Sequence, residues 1–184
     1  MSRLGVSLTG RIPATERVEE GRAVARLTDL GWGQRLRTLL APGAPDGPAD
    51  DALLAACVDV LAGWAWAARP VGVVAMPSLR RPELVFSVAA HLAALGRLPL
   101  VGSLALAHDE SPGEPGGNSA FRLAAVHDRF TVPAALAAAL ALLEGPVLLV
   151  DDLVDSRWTV TVAGRLLRQA GAEGVLPFAL AVAA

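Results

Sequence analysis

The sequence predicts an α/β fold in which a parallel β-sheet is covered by helices on both faces. Short apolar runs rich in β-branched residues, such as residues 71–76, alternate along the chain with longer segments whose apolar residues recur every three or four positions. Runs that are apolar throughout are typical of strands buried on both faces, and such strands need helices on each side of the sheet. The chain has 184 residues and is 53% hydrophobic, which is enough for one domain with a sizeable core.

The N-terminal part of the chain is predicted to be an arm and a linker, residues 1–48, ahead of an α/β domain at residues 49–184. The arm shows no sustained periodicity, and we expect one short helix at residues 15–27 and another at residues 34–40. Residues 41–48 contain three prolines and two glycines, which favour neither helix nor strand.

The elements of the α/β domain follow from their periodicity and their end signals. Asp50 or Asp51 is suited to cap a first helix, whose apolar side chains share one face. Further helices are predicted at residues 82–95, 133–143 and 158–170, and strands at residues 71–76, 98–106, 146–150 and 175–182. Pro82 suits a first helical turn and Gly96 a helix end, whereas residues 107–118, rich in glycine, proline and acidic residues, predict a mobile loop.

Composition excludes several classes of function. The longest apolar run, residues 134–143, is half of the ~20 residues that a membrane-spanning helix needs, and no signal peptide is evident, so we expect a cytoplasmic protein without a membrane partner. The single Cys57 excludes a disulfide framework, and with three scattered histidines it leaves no zinc site. The net charge of −2 gives no basic footprint for nucleic acid, and the sixteen basic residues are all arginine, which excludes lysine chemistry.

The segment after the third predicted strand carries the clearest chemistry, since parallel α/β sheets bind ligands at the carboxyl ends of their strands. Residues 147–159 read VLLVDDLVDSRWT. Asp151 and Asp152 are suited to accept hydrogen bonds from sugar hydroxyls or to hold Mg²⁺ through water. The helix start that follows offers free N–H groups to a phosphate, and Ser156 and Thr159 add hydroxyl donors. The segment therefore predicts a site for a sugar phosphate with a divalent metal.

This segment resembles the phosphoribosyl pyrophosphate (PRPP) binding motif of type I phosphoribosyltransferases. In that motif a hydrophobic strand, two acidic residues and two apolar residues precede Asp/Thr-Thr-Gly-x-Thr. The resemblance covers roughly residues 68–184, and it implies a type I phosphoribosyltransferase-like fold with an N-terminal extension. It also implies that Asp151 and Asp152 bind PRPP and Mg²⁺, and that Asp155 is the candidate general base. The positions of the phosphate loop are Ser156, Arg157, Trp158 and Thr159.

Two more segments agree with this resemblance in their place along the chain. Residues 78–81 follow the first predicted strand, where the family has its pyrophosphate-binding loop; they are Ser78, Leu79, Arg80 and Arg81. Residues 107–118 correspond to the family's flexible lid. In an active member, a nitrogen nucleophile displaces pyrophosphate from C1 of PRPP, while Mg²⁺ and arginines neutralise the leaving group.

A narrower similarity concerns the C-terminal phosphoribosyltransferase-like domain of actinobacterial RecQ-like DNA helicases. It is carried by residues 21–33 (GRAVARLTDLGWG), residues 117–123 (GNSAFRL) and residues 151–159. The similarity implies an excised domain whose ATP site, and whose contact with DNA, lie in an upstream helicase region. The chain has no Walker-type Gly-x-x-x-x-Gly-Lys motif, so it is not by itself an ATP-driven motor.

A second hypothesis is a non-catalytic regulatory, protein-contact or DNA-contact module of such a helicase, with a degenerate PRPP site. Arg157 stands where the family has a loop glycine, and residues 78–81 lack the usual glycine of the pyrophosphate loop. Purely structural interpretations also remain: a solvated strand end with an ordinary helix cap, or a surface ion pair for the two adjacent arginines. A receiver domain does not fit, because only 32 residues follow Asp152.

Overall fold

The computed structural model describes residues 13, 16–107, 129–155 and 157–183. The predicted lid beyond residue 107 and Ser156 lie outside the described residues, as does the side chain of Arg157. In chain order the elements are β1 (Arg22–Arg26), α1 (Trp32–Leu39), α2 (Asp51–Ala62), β2 (Gly72–Ala75), α3 (Pro82–Gly96), β3 (Leu100–Ser103), β4 (Ala105–Leu106), β5 (Phe130–Thr131), α4 (Ala134–Leu140), β6 (Pro146–Val154), α5 (Arg157–Gln169) and β7 (Gly174–Val182).

The predicted α/β architecture is confirmed. Five parallel strands form one sheet in the order β1-β7-β6-β2-β3, and β4 and β5 form a small antiparallel pair. One face of the sheet packs against α2 and α3, with Leu148, Val150 and Phe178 fully buried between the layers. The other face packs against α4 and α5, through Val147 and Leu149. Within the described residues, no helix combines the length and the apolar character needed to cross a bilayer.

The helix expected at residues 15–27 is wrong, since β1 lies there. Its residues pair in parallel with β7, from Arg22 beside Phe178 to Arg26 beside Val182. Flanking hydrogen bonds continue the pairing, for example from Glu19 N–H to the carbonyl of Val175 (2.9 Å). Alanine and arginine have good helix propensity, but the open edge of β7 offers a row of backbone partners, and this tertiary pairing overrides a weak local preference.

Most other predicted elements are confirmed within a few residues. Asp50 is the N-cap of α2, and its carboxylate accepts from the N–H of Leu53 (2.9 Å). Pro82 begins α3, as predicted. The strand expected at residues 98–106 is divided into β3 and β4, next to Gly102 with its φ of 145°. β3 still pairs with β2 through Gly102 and Ser103, and β4 then leaves the large sheet to pair with β5.

The order of the strands creates a switch point between β2 and β6. From β2 the chain continues to β3 on one side, and from β6 it continues to β7 on the other. The connections that leave these two neighbouring strands therefore diverge above their carboxyl ends. In open parallel sheets, ligands bind in the crevice at such a point.

Candidate functional site

The β2–α3 loop and the end of β6 meet at the switch point. Pairing of β6 with β2 ends at Val150, whose carbonyl accepts from Met76 N–H (2.8 Å). Beyond Val150, β6 continues for four residues, and β7 is the one described strand that pairs with it there. Asp151 and Asp152 therefore lie within β6. The predicted strand at residues 146–150 had placed them past its end. The β2–α3 loop occupies the space beside them.

A hydrogen bond joins the two predicted loops. The hydroxyl of Ser78 donates to Oδ2 of Asp152 (2.8 Å), although 74 positions separate these residues in the sequence. The same hydroxyl accepts from the N–H of Arg81 (2.9 Å), which shapes the loop ahead of α3. Oδ1 of Asp152 accepts from the N–H of Leu153 (2.7 Å). Asp152 is thus an oriented, half-buried carboxylate at the junction of both loops.

Asp151 occupies a more enclosed position than Asp152. Successive strand residues alternate in direction, so Asp151 shares the face of Val147 and Leu149, towards the layer of α4 and α5. Its side chain is buried, and its Oδ1 accepts from the N–H of Asp152 (2.9 Å). Burial raises the pKa of the Asp151 carboxyl far above its ordinary value; the neighbouring Asp152 raises it further, and the Arg129 guanidinium opposes this increase. The buried Asp151 carboxyl is therefore stabilised by a bound proton or by a cation.

The four residues of the β2–α3 loop have contrasting surroundings. Arg81 is buried, and its guanidinium donates to the carbonyls of Leu39 (3.2 Å), Ala41 (2.8 Å) and Arg80 (2.9 Å). Its side chain thus joins the loop to the end of α1 and is directed into the protein. Arg80 and Leu79 are exposed, and no described residue pairs with the Arg80 guanidinium. Of the two arginines in this loop, Arg80 has its charge open to solvent and Arg81 does not.

Only two residues separate the end of β6 from the start of helix α5 at Arg157. Asp155, in this short connection, is exposed, whereas Trp158 and Thr159 in the first turn of α5 are half-buried. The N–H groups of a first helical turn have no partner within the helix and lie at the positive end of its dipole. The residues predicted to hold a phosphate thus lie at a helix start beside the strand that carries both carboxyls.

The carboxyls of Asp151 and Asp152 would supply only some of the ligands that a metal ion needs. No group of three or more histidine, cysteine or acidic side chains that would bind a metal exists among the described residues. Asp151 and Asp152 nevertheless provide two adjacent carboxyls. Mg²⁺ commonly uses one or two protein carboxylates and retains several waters. These two residues are therefore the ones that would hold Mg²⁺, and a bound phosphate would supply further ligands.

Arg129, which lies just before β5, is not among the site residues that the sequence predicts. Its guanidinium packs over the ring of Phe130, with Cζ 5.5 Å from the centroid, and interacts electrostatically with Asp151. The only signal in the sequence was an arginine directly before a short apolar strand. Two further arginines, on α5, are used within the protein: Arg165 pairs with Glu16, and Arg168 donates to the carbonyl of Ala172.

No protein-family model matches this sequence, and no curated protein sequence matches it. The class of protein that the fold defines is an α/β domain with a parallel sheet and a polar site at the switch point between β2 and β6.

Proposed function

We propose that this chain is a type I phosphoribosyltransferase-like domain that binds PRPP, or the phosphate of a nucleotide, together with Mg²⁺. The observation that carries the proposal is the hydrogen bond between Ser78 and Asp152 at the switch point. This bond joins two segments that are far apart in the sequence. Residues 78–81 resemble the family's pyrophosphate loop, and residues 147–159 resemble its PRPP motif. A chance similarity of one short segment would not require the other to lie beside it.

Each part of the ligand has a counterpart in the proposed site. Asp151 and Asp152 would bind ribose hydroxyls and, through water, Mg²⁺. The start of α5, with Ser156 and Thr159, would bind the 5′-phosphate. The exposed guanidinium of Arg80 would neutralise the pyrophosphate.

Asp155 remains the candidate general base of a transferase reaction, since it is exposed beside the start of α5. In that reaction a nitrogen nucleophile forms a bond to C1 of PRPP while the bond to pyrophosphate breaks. The proposal that the domain belongs to a RecQ-like ATP-dependent DNA helicase rests on the sequence similarity of residues 21–33, 117–123 and 151–159. DNA would then be a partner of the upstream helicase region.

A second candidate is a non-catalytic module that retains the pocket for regulation or for protein or DNA contacts. The observation that favours it is the use of Arg81 and Ser78 within the protein. The Arg81 guanidinium donates to three backbone carbonyls, and the Ser78 hydroxyl has both a donor and an acceptor. Neither group is free to bind pyrophosphate unless the loop rearranges. The presence of Arg157, where the family has a glycine, also favours this second candidate.

Thermal unfolding with and without Mg²⁺ and PRPP distinguishes the two candidates. A ligand at a hundred times its Kd stabilises a protein by about 2.7 kcal/mol, which for this size is a Tm increase of roughly 5–10 °C. We expect that increase for the wild type and its loss in Asp152→Asn. Asp59→Asn, an exposed position on α2, is the matched control and should retain the increase. No increase in the wild type at millimolar PRPP would contradict the first candidate and favour the second.

A further inference from the structure

Arg129 is a partly buried cation beside the proposed site, and nothing in the described structure neutralises it by direct contact. Its Nε is buried and has no hydrogen-bond partner among the described residues, and the guanidinium forms no ion pair with any described carboxylate. Packing against Phe130, which is itself 5% exposed, holds the guanidinium in place. Leaving a buried donor unsatisfied costs about 1–3 kcal/mol, so native proteins seldom retain such a group without a reason.

The position of Arg129 supplies such a reason. Phe130 belongs to the same core layer as Val147 and Leu149, and Asp151 continues the face of β6 that these two residues form. Burial lowers the pKa of Arg129, and the Asp151 carboxyl is close enough to raise it again. The Arg129 cation and the Asp151 carboxyl therefore interact electrostatically, yet they do not form an ion pair. A ligand that contacts both would satisfy the unpartnered guanidinium.

We propose that Arg129 binds an anionic oxygen of the ligand, next to a hydroxyl or a metal ion held by Asp151. Guanidinium is the side chain best suited to phosphate and carboxylate oxygens, because its planar donors bind two oxygens at once. The ligand class is a phosphate ester or diphosphate of a polyhydroxylated molecule, in which charged oxygens and hydroxyls lie close together. This inference rests on the proposed function and adds to it a binding residue outside both sequence motifs.

Calorimetric titration of the whole chain tests this inference with two probes, PRPP with Mg²⁺ and inorganic pyrophosphate with Mg²⁺. Arg129→Gln removes the charge but keeps a polar side chain, and it should weaken binding of both probes by about 10–100-fold. Arg129→Lys keeps the charge without the planar donors and should fall between Gln and the wild type. Arg69→Gln makes the same charge change at an exposed residue ahead of β2, and its affinity should stay within about two-fold of the wild type.

Thermal unfolding without ligand separates a binding role from a structural one. Because Nε has no partner, Arg129→Gln should leave the Tm of the unliganded protein unchanged or slightly higher. A residue that only supported the fold would lower that Tm when replaced. A lower Tm together with unchanged affinity per folded molecule would overturn the inference.

The remaining outcomes distinguish a failed inference from a failed function. If the wild type binds a probe and Arg129→Gln binds it equally well, Arg129 is no ligand contact and the proposed function stands. If Arg69→Gln weakens binding as much as Arg129→Gln, net charge and not a contact is responsible, and the inference is overturned. If the wild type binds neither probe at millimolar concentration, both the inference and the proposed function are overturned.

Discussion

Arg80 and Arg81 are neighbours in the sequence, but their side chains have opposite environments. The guanidinium of Arg81 is buried and donates to the carbonyls of Leu39, Ala41 and Arg80, whereas that of Arg80 is exposed and has no partner among the described residues. Sequence patterns treat the two alike. At the scale of single residues, the direction of each side chain separates a structural arginine from one that is available to a ligand.

Substitution of each arginine by methionine should therefore give opposite results. Arg81→Met leaves part-buried backbone carbonyls without their donors, and we expect a loss of about 2–3 kcal/mol in unfolding free energy, or roughly 5–10 °C in Tm. Arg80→Met should leave Tm unchanged but weaken the binding of PRPP with Mg²⁺. Thermal unfolding and calorimetric titration of both variants check this. Equal losses of Tm would show that the hydrogen bonds of Arg81 contribute little.

Asp151 makes stability depend on pH. Its raised pKa means that the folded chain holds this proton over a pH range in which the unfolded chain has released it. Stability is therefore greatest at low pH with respect to this group, and it falls as pH rises from about 4 through the folded-state pKa. Asp151→Asn removes the titration, so it should raise Tm at pH 8 by several degrees and have little effect near pH 4.

Thermal unfolding between pH 4 and pH 9 measures this difference. Asp59→Asn, on the exposed surface of α2, is the control and should follow the wild type at each pH. A constant offset between Asp151→Asn and the wild type across the whole range would show that Asp151 does not titrate differently in the folded and unfolded chains.

Among the elements, α5 depends on a contact with the N-terminal segment. Gly164 lies on α5 under Val18, and a Cβ atom at residue 164 would lie 2.0 Å from Cγ1 of Val18. Glu16 pairs with Arg165 on the same helix. The short segment that precedes β1 therefore fixes the face of α5, and this helix in turn presents its first turn to the proposed phosphate.

Gly164→Ala should destabilise the protein by about 1–3 kcal/mol, because the added methyl group cannot be accommodated next to Val18. In a Val18→Ala background the clash is removed, and the same substitution should become neutral or stabilising, since alanine is favoured over glycine inside a helix by about 1 kcal/mol. A double-mutant cycle of Tm or denaturant midpoints measures the coupling. Equal effects of Gly164→Ala in both backgrounds would contradict the contact.

For the whole molecule, the segment ahead of residue 49 is joined to the rest of the chain in one sheet. β1 covers the edge of β7, and the carboxylate of Asp46 accepts from the N–H groups of Glu83 (2.8 Å) and Leu84 (3.2 Å) at the start of α3. Arg81 binds carbonyls at the end of α1. These links cross the boundary at residue 48 that the proline-rich linker had suggested.

A chain shortened to residues 49–184 should therefore fail to form a stable, cooperatively unfolding monomer. It would leave the edge of β7 open, and unpaired strand edges promote aggregation. It would also remove the cap of α3 and two carbonyl partners of Arg81. Circular dichroism and size-exclusion chromatography test this against the full chain. A shortened chain that melts cooperatively near the Tm of the full chain would show that residues 1–48 form a separate unit.

The sequence alone determined the fold class, most helix and strand positions, and the two segments that meet at the proposed site. These features depend on local patterns: apolar periodicity, Pro82 at a helix start, Asp50 at a cap, and paired acids after an apolar strand. Each of these patterns involves residues that are close together in the sequence, so they can be recognised without the structure.

Only the tertiary structure decided which strand residues 22–26 join, which arginine of the β2–α3 loop is buried, and that Arg129 interacts electrostatically with Asp151. Each of these features depends on residues far apart in sequence. The pairing of β1 comes from the open edge of β7, and the burial of Arg81 comes from carbonyls about forty positions away. Hydrogen bonding and burial depend on which groups are close in space. When those groups are far apart along the chain, no local sequence pattern indicates the contact.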